Sequence, residues 1–162
     1  MVSLKYCQKS ILPCMPAHHR AVRRYLIISL VSFIGSCAIC ISIRPDLFDH
    51  PDYGISFFGS IAKTLIPYVL GLLITAWCLR GIARELRPFP STKPLRGALL
   101  LSALLLVCIV LTPMALSPAV FWSHIAISAI LGLTQIAMVV WILLRSDPGP
   151  IDYLLALVLL PA

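Results

Sequence analysis

Apolar residues are gathered into four long runs, separated by short segments that hold most of the charged residues and prolines. The runs cover about residues 25–43, 61–79, 95–116 and 121–144. A helix needs ~20 apolar residues to cross the hydrocarbon core of a bilayer, and each run is close to this length. Because lipid leaves no partner for unpaired backbone groups, each run is predicted to be a helix. The pattern therefore predicts an all-α integral membrane helix bundle with four full transmembrane helices.

A fifth apolar segment follows at residues 151–162. At ~1.5 Å per residue it covers about 18 Å, which is short of the ~30 Å hydrocarbon core. We expect it either to lie partway in the membrane or to be a truncated helix of a longer protein. The predicted organisation is a basic tail, residues 1–24, followed by a single transmembrane helical domain, residues 25–162.

Small and polar residues recur at helical spacing inside three of the four runs. Such stripes are typical of helix–helix contacts in membranes. The three predicted interior stripes contain Ser29, Ser32, Ser36 and Cys40 in the first run, Thr64, Tyr68, Gly71, Thr75 and Cys78 in the second, and His124, Ser128 and Gln135 in the fourth. The third run is Leu-rich, with Cys108 and Thr112 as the polar positions that the pattern singles out.

Gln135 falls near the middle of the fourth predicted span. A primary amide in hydrocarbon costs several kcal/mol unless it finds a hydrogen-bond partner. We therefore expect Gln135 to point into the bundle and to bond to a residue at similar depth. The predicted partners are Ser32 or Ser36 of the first run and Gly71 or Thr75 of the second.

The basic residues are distributed unevenly among the connecting segments. The net charge is +7, with 13 Lys and Arg. Placing the N-terminus inside puts eleven of them on the cytoplasmic side, where Lys and Arg concentrate in membrane proteins; Arg44 and Lys63 alone fall outside. The predicted location is a bacterial plasma membrane with a cytoplasmic N-terminus, and the basic segments are expected to contact anionic headgroups. No segment interleaves aromatic and basic residues as a nucleic-acid face does, so no nucleic-acid partner is predicted.

The first outer loop holds half of the six acids of the chain, Asp46, Asp49 and Asp52. The predicted topology places this loop on the same side as the start of the fourth run. The candidate outer-surface site consists of Asp49, His50, Asp52, Tyr53 and His124. Carboxylate and imidazole groups together are suited to zinc or another divalent metal, with Asp49, His50, Asp52 and His124 as the ligands if one binds. A solvated turn explains the same loop, and no cofactor is predicted outright.

The histidines and cysteines prompt two further hypotheses, a haem site and a redox centre. His50 and His124 are a conceivable haem pair, but no second histidine within the membrane faces His124. Cys37 and Cys40 form a C-x-x-C, which prompts a redox reading. The motif lies within the first span, where thiols are poorly ionised, so we predict small buried apolar side chains.

A resemblance is carried by the basic N-terminal tail, the first span, and the outer-loop stretch from Asp52 to Gly59 followed by Pro67-Tyr68 near the start of the second span. Over residues 25–144 the chain resembles bacterial six-helix membrane proteins of a domain of unknown function, distantly similar to the Frag1/DRAM group. This resemblance implies a six-helix parent, from which the chain departs by ending early. It implies no catalytic residue.

Two classes of function remain open from the sequence. The first is a non-enzymatic membrane protein that handles a small molecule or lipid, or that packs against a membrane partner or a second copy of itself. The absence of a carboxylate within any span supports this class and counts against a proton-coupled pump. The second is a membrane enzyme or metal-binding protein with a site at the outer surface. We expect the first class.

Overall fold

The computed structural model describes residues 16–47, 55–113 and 117–145. These residues form four helices: α1 (Pro16–Ile43), α2 (Ala62–Glu85), α3 (Lys93–Leu111) and α4 (Pro118–Arg145). Short 3-10 turns occupy Pro45–Leu47, Ile55–Ser60 and Pro90–Thr92. Each of the four helices is long and apolar enough to cross a membrane. The predicted all-α bundle is confirmed, while the predicted fifth segment, residues 151–162, lies outside the described part of the chain.

Two helix ends differ from the predicted bounds. The described helix α1, Pro16–Ile43, already contains Arg20, Arg23 and Arg24, which the sequence pattern places in the tail. α3 ends at Leu111 rather than near residue 116. Pro113 disfavours helical geometry at the residue before it, and Thr112 accordingly leaves the helix with φ −118° and ψ 65°.

The helices pack in chain order, with α1 against α2, α2 against α3, and α3 against α4. Large apolar side chains cover the outside of this arrangement, and several are more than half exposed: Val31, Ile66, Leu133 and Leu144. Apolar side chains all around a helix are typical of a membrane environment, where lipid covers what the protein does not. The fold is that of a membrane-embedded helix bundle.

The predicted stripes of α1 and α2 meet in a close helix–helix contact. A Cβ added at Gly71 would overlap the side chain of Ser36 and would lie 3.2 Å from the backbone oxygen of Ser32. Thr64 and Cys78 on the same face of α2 are fully buried. The small residues thus allow the two backbones to approach, as in other membrane helix pairs. Ser36, Gly71 and Thr64, which the sequence places on interior stripes, thus lie at this contact, while Ser32 and Thr75 are half-buried.

The start of α1 and the end of α2 are joined by a polar contact. Nδ1 of His18 donates to Oε2 of Glu85 over 2.8 Å, and the His18 ring packs edge-on against Phe89 at 5.7 Å between centroids. The turn that follows is fixed by the buried Thr92, whose hydroxyl lies 3.0 Å from the Leu86 carbonyl oxygen and 2.8 Å from that of Phe89. The two helices therefore run antiparallel with their basic ends together.

Candidate functional site

His124 lies in the second turn of α4, beside the end of α3, and only 2% of its surface is exposed. Its Nδ1 is 2.7 Å from the backbone oxygen of Thr112. The Thr112 hydroxyl donates to the Cys108 carbonyl over 2.8 Å and lies 3.4 Å from the same Nδ1. Because Pro113 ends α3 here, the Thr112 carbonyl has no partner further along a helix and is available to the imidazole.

The contact with Thr112 determines which nitrogen of His124 carries the proton. A carbonyl oxygen only accepts hydrogen bonds, so Nδ1 must donate to it. In the neutral imidazole the other nitrogen, Nε2, then presents a lone pair. Nε2 is buried and has no hydrogen-bond partner among the described residues. In its neutral form His124 is therefore held in one tautomer, with Nε2 as an acceptor that has no partner among the described residues.

Three serine hydroxyls share this condition with His124: that of Ser60, just before α2, and two on α3 and α4. Ser128, one turn further along the same face of α4, has a buried Oγ without a partner in the described residues. Ser102 of α3 is fully buried, and its Oγ also lacks a partner there. A hydroxyl both donates and accepts, so Ser128 offers a donor one turn away from the acceptor of His124, while Ser102 lies further along the interface. Buried polar atoms without partners are rare in proteins, and a bound water, ion or ligand is one explanation for them.

Gln135 continues the polar face of α4 toward the middle of the bundle. It is 9% exposed, so its side chain lies largely inside the bundle. α3 and α4 run antiparallel from the Thr112–His124 contact, so at ~1.5 Å per residue Ser102 lies level with Gln135. Ser102 and Gln135 thus extend the polar seam, which we define as Ser102, Thr112, His124, Ser128 and Gln135.

The partners expected for Gln135 are engaged elsewhere. Ser36 donates to the Phe33 carbonyl and Thr75 to the Gly71 carbonyl, each over 2.8 Å within its own helix. α4 packs chiefly against α3 rather than against α1 or α2. The described residues show no bond between Gln135 and either helix, because the bundle is arranged in chain order rather than closed into a ring.

The other predicted outer-surface residues, Asp49, His50, Asp52 and Tyr53, lie outside the described part of the chain. His124 lies at the end of the bundle to which the loop between α1 and α2 also belongs. Within the described residues, no three His, Cys, Asp or Glu side chains are grouped as a metal site would require. The convergence of the first loop on His124 stays a prediction.

Cys37 and Cys40 of the C-x-x-C are free thiols. Cys40 is fully buried against α2, and its Sγ lies 3.6 Å from the Thr64 carbonyl oxygen. This contact places Cys40 in the α1–α2 packing stripe, as expected for a small side chain at a helix contact. That the pair has no redox role stays a prediction.

Sequence reasoning missed Ser102 and the pairing of His18 with Glu85. Ser102 is the single hydroxyl residue within α3, and a lone hydroxyl in a Leu-rich span was the available signal. Glu85 is the single glutamate of the chain, placed among arginines at the end of α2. The role of the Thr112 backbone carbonyl has no sequence signal, because it depends on how α3 ends beside α4.

Comparison with known proteins adds no counterpart: no family model, curated protein or solved structure matches the chain. The resemblance to six-helix membrane proteins therefore rests on the sequence pattern alone.

Proposed function

We propose that the protein is a non-enzymatic membrane protein that binds a small hydrogen-bonding molecule at His124 and Ser128. The observation that carries the proposal is the buried Nε2 of His124, an acceptor without a partner in the described residues. An ionisable side chain facing the inside of a membrane bundle is costly and is found chiefly where it has a function.

The geometry defines the chemistry of the ligand. Nε2 accepts, so the ligand must donate a hydrogen bond to it, and the Ser128 hydroxyl can return one to the same ligand atom. An alcohol or phenol oxygen meets both requirements, whereas a ketone or an ether oxygen cannot donate. The residues of α4 on either side of His124 and Ser128 are mostly apolar, which favours a membrane-soluble hydroxyl compound over a strongly hydrated one.

We further propose that the N-terminus is cytoplasmic and that this site opens toward the outer face. The basic side chains near the start of α1, the end of α2 and the start of α3 support this orientation: Arg20, Arg23, Arg24, Arg80, Arg84, Arg87, Lys93 and Arg96. The opposite end carries Arg44 and Lys63. Positive residues are enriched on the cytoplasmic side of membrane proteins.

The test uses protein labelled with ¹⁵N-histidine and reconstituted in lipid, with dioctanoylglycerol as the hydroxyl-bearing probe. We expect the His124 Nε2 resonance to move on addition of the probe, and the shift to be lost when the probe hydroxyl is methylated. His124→Phe assigns the resonance, and His19→Phe is the matched control that removes an imidazole far from the site. An unmoved Nε2 resonance at saturating probe would overturn the assignment of a hydroxyl ligand.

The same labelled protein distinguishes the metal hypothesis. Zinc coordinated by His124 would shift Nε2 in the absence of the probe and would be retained through purification. Retained zinc that is lost in His124→Phe but not in His19→Phe would replace the proposed function with a metal site. We expect the two variants to contain equal, trace amounts of zinc.

A further inference from the structure

A groove runs along the outside of the bundle between α2 and α3, on a different face of α3 from the polar seam. Its volume is about 350 Å³, and eight residues line it: Leu73, Ala76, Trp77, Arg80, Leu100, Ala103, Leu104 and Val107. The floor is formed by the small side chains of Ala76 and Ala103, which are nearly buried. Trp77 and Leu104, each 59% exposed, stand at the rims. The groove is apolar along its length except at one end.

That end carries Arg80, and further cations lie beyond it. Arg84 is exposed one turn further along α2. Leu100 of α3 and Arg80 line the same part of the groove, so the antiparallel register brings Arg96 level with Arg84. The carboxylate of Glu85 is held by His18, and no other acid of the described residues lies at this end. The mouth of the groove is therefore electropositive.

We propose that this groove holds one acyl chain of an anionic phospholipid whose phosphate pairs with Arg80. The occupant must be apolar over its length and anionic at the end where α2 and α3 leave the membrane. A phospholipid in the leaflet at the basic end has this arrangement, with its chain pointing toward the bilayer midplane. The guanidinium of Arg80 matches phosphate oxygens through two parallel hydrogen bonds, and basic pockets between membrane helices suit anionic headgroups.

The aromatic residue at the rim of the groove indicates how deep in the membrane the headgroup lies. Trp77 lies less than one turn from Arg80 on α2, and tryptophan is enriched at the level where the headgroups meet the hydrocarbon. Tyr25 of α1 packs edge-on against Trp77 with 5.5 Å between ring centroids, which holds the indole in place. Arg80 thus sits just outside the hydrocarbon and the apolar groove just inside it.

The test is competition between phosphatidylglycerol and phosphatidylcholine with identical acyl chains, followed by native mass spectrometry of the full chain. We expect one phosphatidylglycerol to be retained in preference, and Arg80→Gln to reduce this preference about fivefold, the effect of one basic residue near an anionic surface. Arg44→Gln is the matched control, since it removes the same charge at the opposite end. An equal loss in both variants would show that net charge alone sets the preference and would overturn the site.

A second measurement locates the acyl chain. Phosphatidylglycerol with a photoreactive group midway along one chain should label Leu104 and its neighbours in the groove, and inorganic phosphate should not displace it. Labelling spread evenly over the lipid-facing sides of α1 and α4 would overturn the proposal even if Arg80→Gln weakens binding. Because the groove and the polar seam lie on separate faces of α3, His124→Phe should leave this lipid binding unchanged.

Discussion

The α1–α2 pair and the α3–α4 pair differ in how the hydroxyl side chains at their interfaces are hydrogen-bonded. In the first pair the Ser36 and Thr75 hydroxyls bond to carbonyls of their own helices, and His18 bonds across to Glu85. In the second pair the Ser102 and Ser128 hydroxyls have no partner among the described residues. A polar stripe in a membrane helix is therefore no indication of a site by itself; the informative feature is whether its atoms are already paired.

The two pairs also differ in how closely their backbones approach. Gly71 brings α2 into direct contact with the Ser36 side chain of α1. Between α3 and α4, by contrast, a cleft of about 180 Å³ opens beside Pro94 and Trp141. The first pair is closed by packing, and the second leaves room along its interface. We infer that α1–α2 supplies stability and α3–α4 supplies the binding surface.

The largest expected effect is at Gly71. Gly71→Ala places a Cβ on the Ser36 side chain, and overpacking of this kind costs about 2 kcal/mol of unfolding free energy. Gly35→Ala on α1 is the matched control, since its Cβ meets nothing within 4 Å and alanine favours the helix by ~1 kcal/mol. Steric trapping in bicelles measures the unfolding free energy of both variants. If Gly71→Ala is as stable as Gly35→Ala, the two helices do not meet here. In the Gly71→Ala background, the additional change Ser36→Gly should restore part of the lost stability.

The next effect is smaller, and its sign is expected to differ between two fully buried hydroxyls, those of Thr64 and Ser102. The Thr64 hydroxyl donates to the Phe58 carbonyl over 2.7 Å, so Thr64→Val should cost about 1 kcal/mol. The Ser102 hydroxyl has no partner in the described residues, so Ser102→Ala should stabilise the ligand-free protein by about 1 kcal/mol. The same unfolding measurement applies to both. A loss in Ser102→Ala as large as that in Thr64→Val would mean that the seam is already satisfied.

The smallest effect concerns the exposed end of α1. Arg44 donates from Nε to Oδ1 of Asp46 over 2.8 Å and from Nη2 to Oδ2 over 2.6 Å, and these bonds hold the pKa of Asp46 below its ordinary value. A carboxyl with a lowered folded-state pKa adds stability above its unfolded pKa of ~3.9, and this stability is lost as the pH falls. In Arg44→Gln the pKa of Asp46, followed by ¹³C NMR, should rise toward the ordinary value. An unchanged titration would show that the pair does not form in solution.

Much of the fold follows from the apolar runs, because a span of ~20 residues in lipid has few alternatives to a helix. The inward faces of α1, α2 and α4 follow from the spacing of residues such as Ser36, Gly71 and Gln135. The order in which the helices pack does not follow from the sequence. Helices packed in chain order and helices closed into a ring would bury the same stripes. For that reason the spacing predicts partners for Gln135 on α1 and α2, although α4 packs chiefly on α3.

The candidate site could be predicted only in part. His124 and Ser128 stand out as polar residues of an apolar run, but nothing in the sequence tells which nitrogen of His124 is bonded. That depends on the Thr112 carbonyl, which a proline-terminated helix places beside the imidazole. The groove at Arg80 also has no linear signature, since its floor combines alanines from two helices.

The contact between His18 and Glu85 also constrains how the chain enters the membrane. The two residues are separated by 67 positions and by two complete crossings of the bilayer. They can meet only if α1 and α2 have inserted in opposite directions. A nascent chain with α1 reversed would leave the imidazole and the carboxylate on opposite faces, ~30 Å or more apart. The pair therefore requires that α1 and α2 cross in opposite directions, whichever face of the membrane α1 starts from.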